Sequence, residues 1–177
     1  MKHVLVVGGT GMLFQATSYL AENSEQLTLI ARKLPKQRLH SSKIVAFESV
    51  DYYDESKFTD AVKTIIRSSG KLTHVLCWMH SDALPSLKIL LELAAGSVLW
   101  HVKGSSSYNP PKTDDVSSVM KDSVDYREII LGFKIENGIS RWLTNEEISS
   151  GVINALQSDN KRKVIGLTEP WNRKPYI

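Results

Sequence analysis

The sequence has almost none of the features that direct a chain to a membrane or an oxidising compartment. Only one of its 177 residues, Cys77, is a cysteine, so an internal disulfide is excluded. No stretch approaches the ~18 apolar residues that a membrane helix needs. The apolar run at Val4–Val7 is too short for a signal peptide and is better explained as a buried strand. We therefore expect a cytoplasmic protein without membrane contact.

An excess of charge of one sign is also missing. The chain has 22 Lys and Arg against 19 Asp and Glu, and the resulting +3 is too small to indicate nucleic-acid binding. Its five His residues lack paired metal-ligand spacing, so we expect no metal site. No Gly-x-Ser-x-Gly motif points to a hydrolase. Local charge is nevertheless uneven, because Arg32–Lys43 contains five Lys or Arg and no acid.

What the sequence does contain is a regular alternation of strand-like and helix-like segments. Short apolar runs predict strands, and apolar residues at helical spacing predict helices. This alternation is typical of a parallel sheet with right-handed crossovers and helices on both faces. The predicted strands are His3–Val7, Leu27–Ala31, Lys43–Phe47, His74–Trp78 and Val98–Val102, and the predicted helices are Met12–Glu22, Glu55–Ser69 and Pro85–Ala95.

The alternation stops after Val102. Gly104–Asp125 is rich in Ser, Pro and Asp, which predicts a long loop, and Pro110-Pro111 forbids a regular helix through its centre. The remaining predictions are a strand at Arg127–Ile135, a hairpin turn at Asn137-Gly138, a returning strand at Ile139–Leu143, a capping box at Thr144–Glu147 opening a helix to about Gln157, and a strand at Lys163–Leu167.

No repeat and no linker divides the chain, so residues 1–177 are predicted to form one domain. The predicted fold is α/β, a doubly wound, mostly parallel, Rossmann-like sheet in three layers. A late β-hairpin and a C-terminal helix complete it.

A glycine-rich turn lies between the first strand and the first helix. Gly8 is placed for a tight turn and Gly11 for close approach of the backbone to a pyrophosphate, while Phe14 stands where a third glycine would allow close helix–strand packing. The start of a helix offers free N–H groups to an anion. The turn therefore predicts dinucleotide binding by Gly8, Thr10, Gly11, Met12 and Leu13.

The residues that follow the second strand indicate which dinucleotide. An acid at this point would bind the 2′-hydroxyl of NAD, but the chain has Arg32 and Lys33 there. Two cations suit a 2′-phosphate, and an arginine binds phosphate through two parallel hydrogen bonds. NADP is therefore the predicted cofactor, with NAD less favoured. The alternative is that both side chains only face solvent.

These segments resemble the atypical and extended short-chain dehydrogenases/reductases. Gly8–Leu13 is similar to the Gly-Ala-Thr-Gly-Phe-Ile turn of that family, and Val50–Asp54 is similar to its Asp-Val/Leu-x-Asp segment. Trp142–Ile148 resembles the start of a late helix in the same group. The resemblance implies a NAD(P)-binding fold and an NADP(H)-dependent oxidoreductase acting on an unknown small substrate.

The resemblance also implies roles for particular residues. It gives Asp51, with Tyr52 beside it, the position that caps the adenine amino group. Met79 and His80 stand where the family has Asn-Ala-Gly after the fourth strand, so only the position transfers. Ser105 and Ser106 follow the fifth strand, at the position where the family has a serine.

The catalytic residues of that family are not evident in this sequence. Tyr108 and Lys112 have the Tyr-x-x-x-Lys spacing, but two prolines between them oppose the helical turn that would place both side chains on one face. The catalytic residues therefore stay unassigned. Two alternatives remain open, a non-catalytic redox sensor that binds the dinucleotide and a Rossmann-like domain in which Phe14 blocks binding. A homo-oligomer is also left open.

Overall fold

A computed structural model describes residues 1–35, 39, 44–105 and 123–175. The strands are β1 (His3–Val7), β2 (Gln26–Ala31), β3 (Ile44–Ser49), β4 (His74–Trp78), β5 (Val98–Gly104), β6 (Asp125–Leu131), β7 (Phe133–Glu136), β8 (Ile139–Trp142) and β9 (Arg162–Ile165). The helices are α1 (Phe14–Glu22), α2 (Glu55–Ser69), α3 (Leu84–Leu93) and α4 (Asn145–Leu156), and short 3-10 turns lie at Ser81–Ala83 and Trp171–Arg173.

Seven strands form one parallel sheet in the order β3-β2-β1-β4-β5-β6-β9. The chain leaves β1 toward β2 on one side and later returns to β4 on the other side of β1. Such a switch point opens a crevice at the carboxyl ends of the central strands, which is where open α/β sheets bind ligands. The predicted doubly wound, three-layer sheet is confirmed.

Alternate residues of the central strands face opposite layers of helices. Leu5 and Val75 lie in a buried cluster with the apolar stripe of α2 and with α3. Val4 and Leu76 lie in a second cluster with α1 and α4. The strands are apolar on both faces because both faces are covered.

Helix ends follow the chemistry expected from the sequence. The side chain of Asp54 accepts a hydrogen bond from the N–H of Lys57 at 3.1 Å, and Gly70 ends α2 with a positive φ of 84°. Thr144 and Glu147 form a reciprocal capping box at the start of α4. The bounds of α2 and β4 match those predicted, whereas α1 begins at Phe14 instead of Met12.

The single strand predicted at Arg127–Ile135 is wrong. The structure has β6 in the main sheet and β7 in a separate antiparallel hairpin with β8. Gly132 lies between β6 and β7. A side chain at Gly132 would overlap the backbone carbonyl of Leu167, so the chain bends away at this residue. The predicted hairpin turn at Asn137-Gly138 is confirmed, with positive φ at both residues.

The right-handed crossovers predicted for the alternating units do not extend to every connection of the sheet. The connections β4–α3–β5 and β6–α4–β9 run in the same direction across the sheet, yet α3 packs on the α2 face and α4 on the α1 face. Connections that run in one direction on opposite faces have opposite hands. The β7–β8 hairpin intervenes between β6 and α4 and takes the chain to the α1 face.

Several predictions fall on residues outside those described. They concern the basic residues at 36, 38 and 43, the loop from residue 106 to 122, and within it Ser106, Tyr108 and Lys112. In the ranges that the structure does describe, no helix is long and apolar enough to cross a bilayer. Over the same ranges, no group of three His, Cys, Asp or Glu residues could hold a metal ion.

Candidate functional site: a cleft at the switch point

Gly8 makes the sharp turn at the end of β1. Its φ is 77°, and its N–H donates a hydrogen bond to the carbonyl of Ile30 at 2.9 Å. A Cβ at Gly8 would lie 2.7 Å from the carbonyl oxygen of Trp78. A side chain is therefore excluded both by backbone conformation and by space, which confirms the tight turn predicted for Gly8.

The close packing between helix and strand takes place at Gly9, which the sequence analysis did not single out. A Cβ at Gly9 would overlap Thr17 of α1 and Val6 of β1. The Thr17 hydroxyl instead donates a hydrogen bond to the Gly9 carbonyl at 2.9 Å. The glycine that allows close helix–strand packing is therefore Gly9, and not a residue at the position of Phe14. Phe14 is the first residue of α1 and is not among the residues that line the cleft described below.

The rest of the turn is open toward solvent. Gly11 is exposed, and a Cβ there would meet no atom within 4 Å. α1 begins after Leu13 with no side chain capping its first turn. The main-chain carbonyl of Met12 accepts a hydrogen bond from Ser149 of α4 at 2.8 Å. The positive end of the α1 dipole is thus left for a ligand at a turn that α4 holds in place.

The turn opens into a cleft of about 430 Å³ at the carboxyl ends of β1 to β4. Six of the residues predicted to bind the cofactor line it, together with three that were not predicted. The predicted ones are Gly8, Thr10, Arg32, Lys33, Tyr52 and His80, and the others are Ala31, Val50 and Trp78.

Arg32 and Lys33 supply the positive charge of the cleft. Both are exposed, and neither forms an ion pair with any carboxylate that the structure describes. The backbone of Arg32 is held at its carbonyl, which accepts a hydrogen bond from the Ser49 hydroxyl at 3.2 Å. Two uncompensated cations therefore face a cleft beside a helix N-terminus, an arrangement that attracts phosphate.

Tyr52 also lines the cleft and is fixed through its backbone. The buried hydroxyl of Ser86 in α3 donates a hydrogen bond to the Tyr52 carbonyl at 2.5 Å. Burial raises the pKa of the Tyr52 phenol, and the nearby charge of Arg32 acts in the opposite direction. The phenol is therefore neutral at physiological pH and can donate a hydrogen bond.

The adjacent Tyr53 ties two loops together at the rim. Its hydroxyl donates to Asp82 at 2.8 Å, and this contact is the main reason that its pKa rises to about 12. The rings of Tyr52 and Tyr53 lie 4.8 Å apart between centroids. The loop after β3 is thus joined to the loop after β4 across the crevice.

Two rings end the cleft on the β4 side. Trp78 and His80 meet edge to face, with centroids 5.7 Å apart. Trp78 lines the cleft although it is not among the residues predicted to bind the cofactor. Its position follows from the pairing of β4 with β1 in the assembled sheet.

The structure places the remaining predicted site residues differently. The side chains of Leu13 and Met79 are buried, so they can meet a ligand only through their backbones. Asp51 is half-buried beside the cleft, and one of its carboxylate oxygens accepts from the N–H of Tyr53 at 3.1 Å. Ser105 is buried at the end of β5.

Other chemistry-bearing residues have structural roles in the strands. His3 lies within hydrogen-bond distance of Gly70 and Thr28, and a ring nitrogen of His101 lies 2.8 Å from the Tyr126 hydroxyl. Burial raises the pKa of the Cys77 thiol well above its ordinary value. A thiol in that state is a poor nucleophile.

These residues fit a nicotinamide dinucleotide. The glycine turn leaves space beside Gly11 for a pyrophosphate, and no side chain of the N-cap residue Leu13 caps the start of α1. The cleft beside the turn carries two cations, Arg32 and Lys33, which can contact the phosphate groups of such a ligand.

Comparison with known proteins yields similarity in structure only. No family model matches the chain, and no curated protein matches it in sequence. An NADH-dependent reductase solved with NAD has a TM-score of 0.66 at 12% identity, over 94% of each chain. A short-chain dehydrogenase from Leptospira borgpetersenii with bound NAD+ has a TM-score of 0.66 at 9% identity, over 93% of this chain and 91% of that one.

A third structure extends the similarity to a protein that holds a modified NADP. An alcohol dehydrogenase from the archaeon Thermococcus sibiricus, complexed with 5-hydroxy-NADP, has a TM-score of 0.62 at 14% identity, over 99% of this chain and 100% of that one. Identities this low establish the fold alone. The chain has the Rossmann-type fold of the short-chain dehydrogenases/reductases.

Proposed function

We propose that this protein binds NADP(H) in the switch-point cleft and acts as an NADP(H)-dependent oxidoreductase on a small molecule. The observation that carries the proposal is that two exposed cations, Arg32 and Lys33, line the cleft next to the glycine turn, and neither forms an ion pair with a carboxylate that the structure describes. The similar structures with bound NAD or 5-hydroxy-NADP support a nicotinamide dinucleotide as the ligand class.

The two ends of the cleft suit two different phosphates. At the glycine turn, backbone N–H groups and the α1 dipole would hold the pyrophosphate. At the end of β2, the guanidinium of Arg32 can bind the 2′-phosphate with two parallel hydrogen bonds, and Lys33 adds a second charge. Tyr52 lines the same cleft and can donate a further hydrogen bond.

Nicotinamide supplies or accepts a hydride when the cofactor is bound. In this chain His80, exposed after β4, lines the cleft and can form a hydrogen bond to a small carbonyl substrate. Ser105 follows β5, is buried and is not among the residues that line the cleft, so we assign it no contact with the substrate. A sensor without turnover would use the same cleft and differ only in lacking this reaction.

Titration with NADPH, NADP, NADH and NAD tests cofactor binding. We expect NADPH and NADP to bind more tightly than the unphosphorylated forms. Charge-assisted hydrogen bonds contribute about 1.5–3 kcal/mol each, so Arg32→Ala should weaken NADPH binding roughly tenfold or more and leave NADH almost unaffected. Lys33→Ala should act in the same direction.

Matched controls lie on α2, away from the cleft. Arg67 and Lys63 are exposed there, so Arg67→Ala and Lys63→Ala remove the same charges without touching the cleft. Equal affinity of the natural protein for NADPH and NADH would overturn the role of the cations, and failure to bind any of the four dinucleotides would overturn the proposal entirely.

Turnover is tested separately once binding is established. NADPH oxidation would be followed at a fixed protein concentration with a panel of quinones and aldehydes. NADPH oxidation that stops in Arg32→Ala but continues in Arg67→Ala supports an oxidoreductase that uses this cleft. Binding without consumption of NADPH across the panel supports the sensor instead.

A further inference from the structure

Two tryptophans on the far side of the molecule enclose an ammonium group. Trp142 ends β8, and Trp171 lies in the 3-10 turn that follows β9. The Nζ of Lys174 lies 4.4 Å from the ring centroid of Trp171 and 5.4 Å from that of Trp142. Both distances are within the ≈ 6 Å over which an indole face attracts a cation.

Among the described residues, the ring faces of the two tryptophans are the groups that hold this ammonium, and Lys174 forms no salt bridge with a carboxylate that the structure describes. Ring faces attract a cation without a hydrogen bond from it. A site built this way therefore accepts quaternary ammonium ions, which have no N–H to donate.

The pair of indoles is open to solvent, and a contact other than that of Lys174 helps to hold the Trp171 segment. The two tryptophans are 37% and 38% exposed, which is high for so large an apolar ring. Arg173 donates a hydrogen bond to the carbonyl of Gly138 in the hairpin turn, and this contact holds the Trp171 segment independently. The space over the rings is therefore accessible when the lysine side chain moves away.

We infer that Trp142 and Trp171 form a binding site for a small organic ammonium ion, and that Lys174 occupies this site in the free protein. The site is separate from the proposed dinucleotide cleft and does not depend on it. Lys174 competes as a tethered ligand, so its removal should raise the apparent affinity for an external cation.

Choline and its neutral isostere 3,3-dimethyl-1-butanol are the probes. Binding would be measured by calorimetry and by the indole N–H signals of Trp142 and Trp171 in NMR spectra. We expect Lys174→Ala to bind choline at least about tenfold more tightly than the natural protein, because the tethered competitor is gone. The neutral isostere should bind much more weakly, because it lacks the charge that the rings attract.

Two further variants separate the site from a general effect of charge. Lys2→Ala removes an exposed lysine elsewhere and should leave choline affinity unchanged. Adding Trp171→Ala to Lys174→Ala should abolish binding. If that double variant does not fold, Trp171→Phe in the same background should weaken binding, because phenyl attracts cations less than indole does.

The inference is overturned by any of three results. These are no choline binding to Lys174→Ala, equal binding of choline and 3,3-dimethyl-1-butanol, or unchanged choline binding when Trp171 is replaced. Titration of the same variants with NADPH tests the dinucleotide proposal separately. Failure of the ammonium site can therefore be told apart from failure of the dinucleotide proposal.

Discussion

The hydroxyl of Ser149 in α4 donates a hydrogen bond of 2.8 Å to the main-chain carbonyl of Met12. These residues are 137 positions apart in the chain, and Ser149 is almost fully buried. The last helix of the fold therefore holds the turn after the first strand, where the proposed cofactor phosphates bind.

Replacing Ser149 by alanine should destabilise the protein and loosen this turn. The Met12 carbonyl would lose its donor, and an unsatisfied buried polar group costs about 1–3 kcal/mol. Urea unfolding would measure the loss, and NADPH titration would measure weaker binding. The neighbouring exposed Ser150 is the control, since Ser150→Ala removes the same hydroxyl from the solvent side of α4. Equal effects of the two variants would contradict this role of Ser149.

Alanine substitutions at Gly8 and Gly11, two glycines of the same turn, should have different effects on stability. Gly8→Ala forces a Cβ to within 2.7 Å of the Trp78 carbonyl at a φ of 77°, and such strain costs on the order of 1–3 kcal/mol. Gly11→Ala meets no atom within 4 Å, so its stability should be unchanged within about 0.5 kcal/mol.

Thermal unfolding of both glycine variants, followed by NADPH titration of Gly11→Ala, checks this contrast. We expect Gly11→Ala to fold normally and to bind NADPH more weakly, because its methyl group enters the space assigned to the pyrophosphate. A Gly8→Ala protein as stable as the natural one would show that the turn does not need the left-handed conformation.

His101 should make stability depend on pH in the mildly acidic range. Burial lowers its pKa from an ordinary 6.5 to about 4. Below pH 6.5 the unfolded chain binds a proton that the native state refuses, so stability is full above about pH 6.5 and falls as the pH approaches 4. At 1.36 kcal/mol per unit the loss totals roughly 3 kcal/mol.

Urea unfolding from pH 7 to pH 4 would reveal this loss, and His101→Gln should reduce the pH dependence. His80→Gln changes an exposed histidine and serves as the comparison. If both variants follow the same pH curve as the natural protein, His101 is not the group responsible.

Loss of the Ser86 hydroxyl should weaken both cofactor binding and the stability of the fold. The hydroxyl holds the Tyr52 carbonyl at 2.5 Å, and Tyr52 lines the same cleft as Arg32. We expect Ser86→Ala to weaken NADPH binding several-fold and to cost about 1 kcal/mol in unfolding. Ser56→Ala, at an exposed position early in α2, should change neither quantity. Unchanged NADPH affinity in Ser86→Ala would separate Tyr52 from cofactor binding.

Local chemistry explains why much of the fold was predictable. The bounds of α2 follow from Asp54 at one end and Gly70 at the other, and both signals act through the nearest turn of the chain. The tight turn at Gly8 and the cationic pair after β2 are likewise local, because each depends on residues next to it.

What the sequence did not indicate depends on contacts between distant residues. Gly9 matters because Thr17 packs on it, and Gly132 matters because Leu167 passes over it. Trp78 joins the cleft because β4 ends beside β1, which only the assembled sheet reveals. The position of α4 on the α1 face depends in the same way on where the hairpin directs the chain.

That position of α4 has a consequence during synthesis on the ribosome. Until residues 145–156 emerge, the apolar face formed by Leu13, Ala16 and Leu20 has no cover from α4, and the Met12 carbonyl has no donor. The glycine turn is synthesised before α4, yet it is completed only when α4 has followed. We expect nascent chains that lack α4 to expose this face to chaperones and to acquire affinity for the dinucleotide only once α4 has docked.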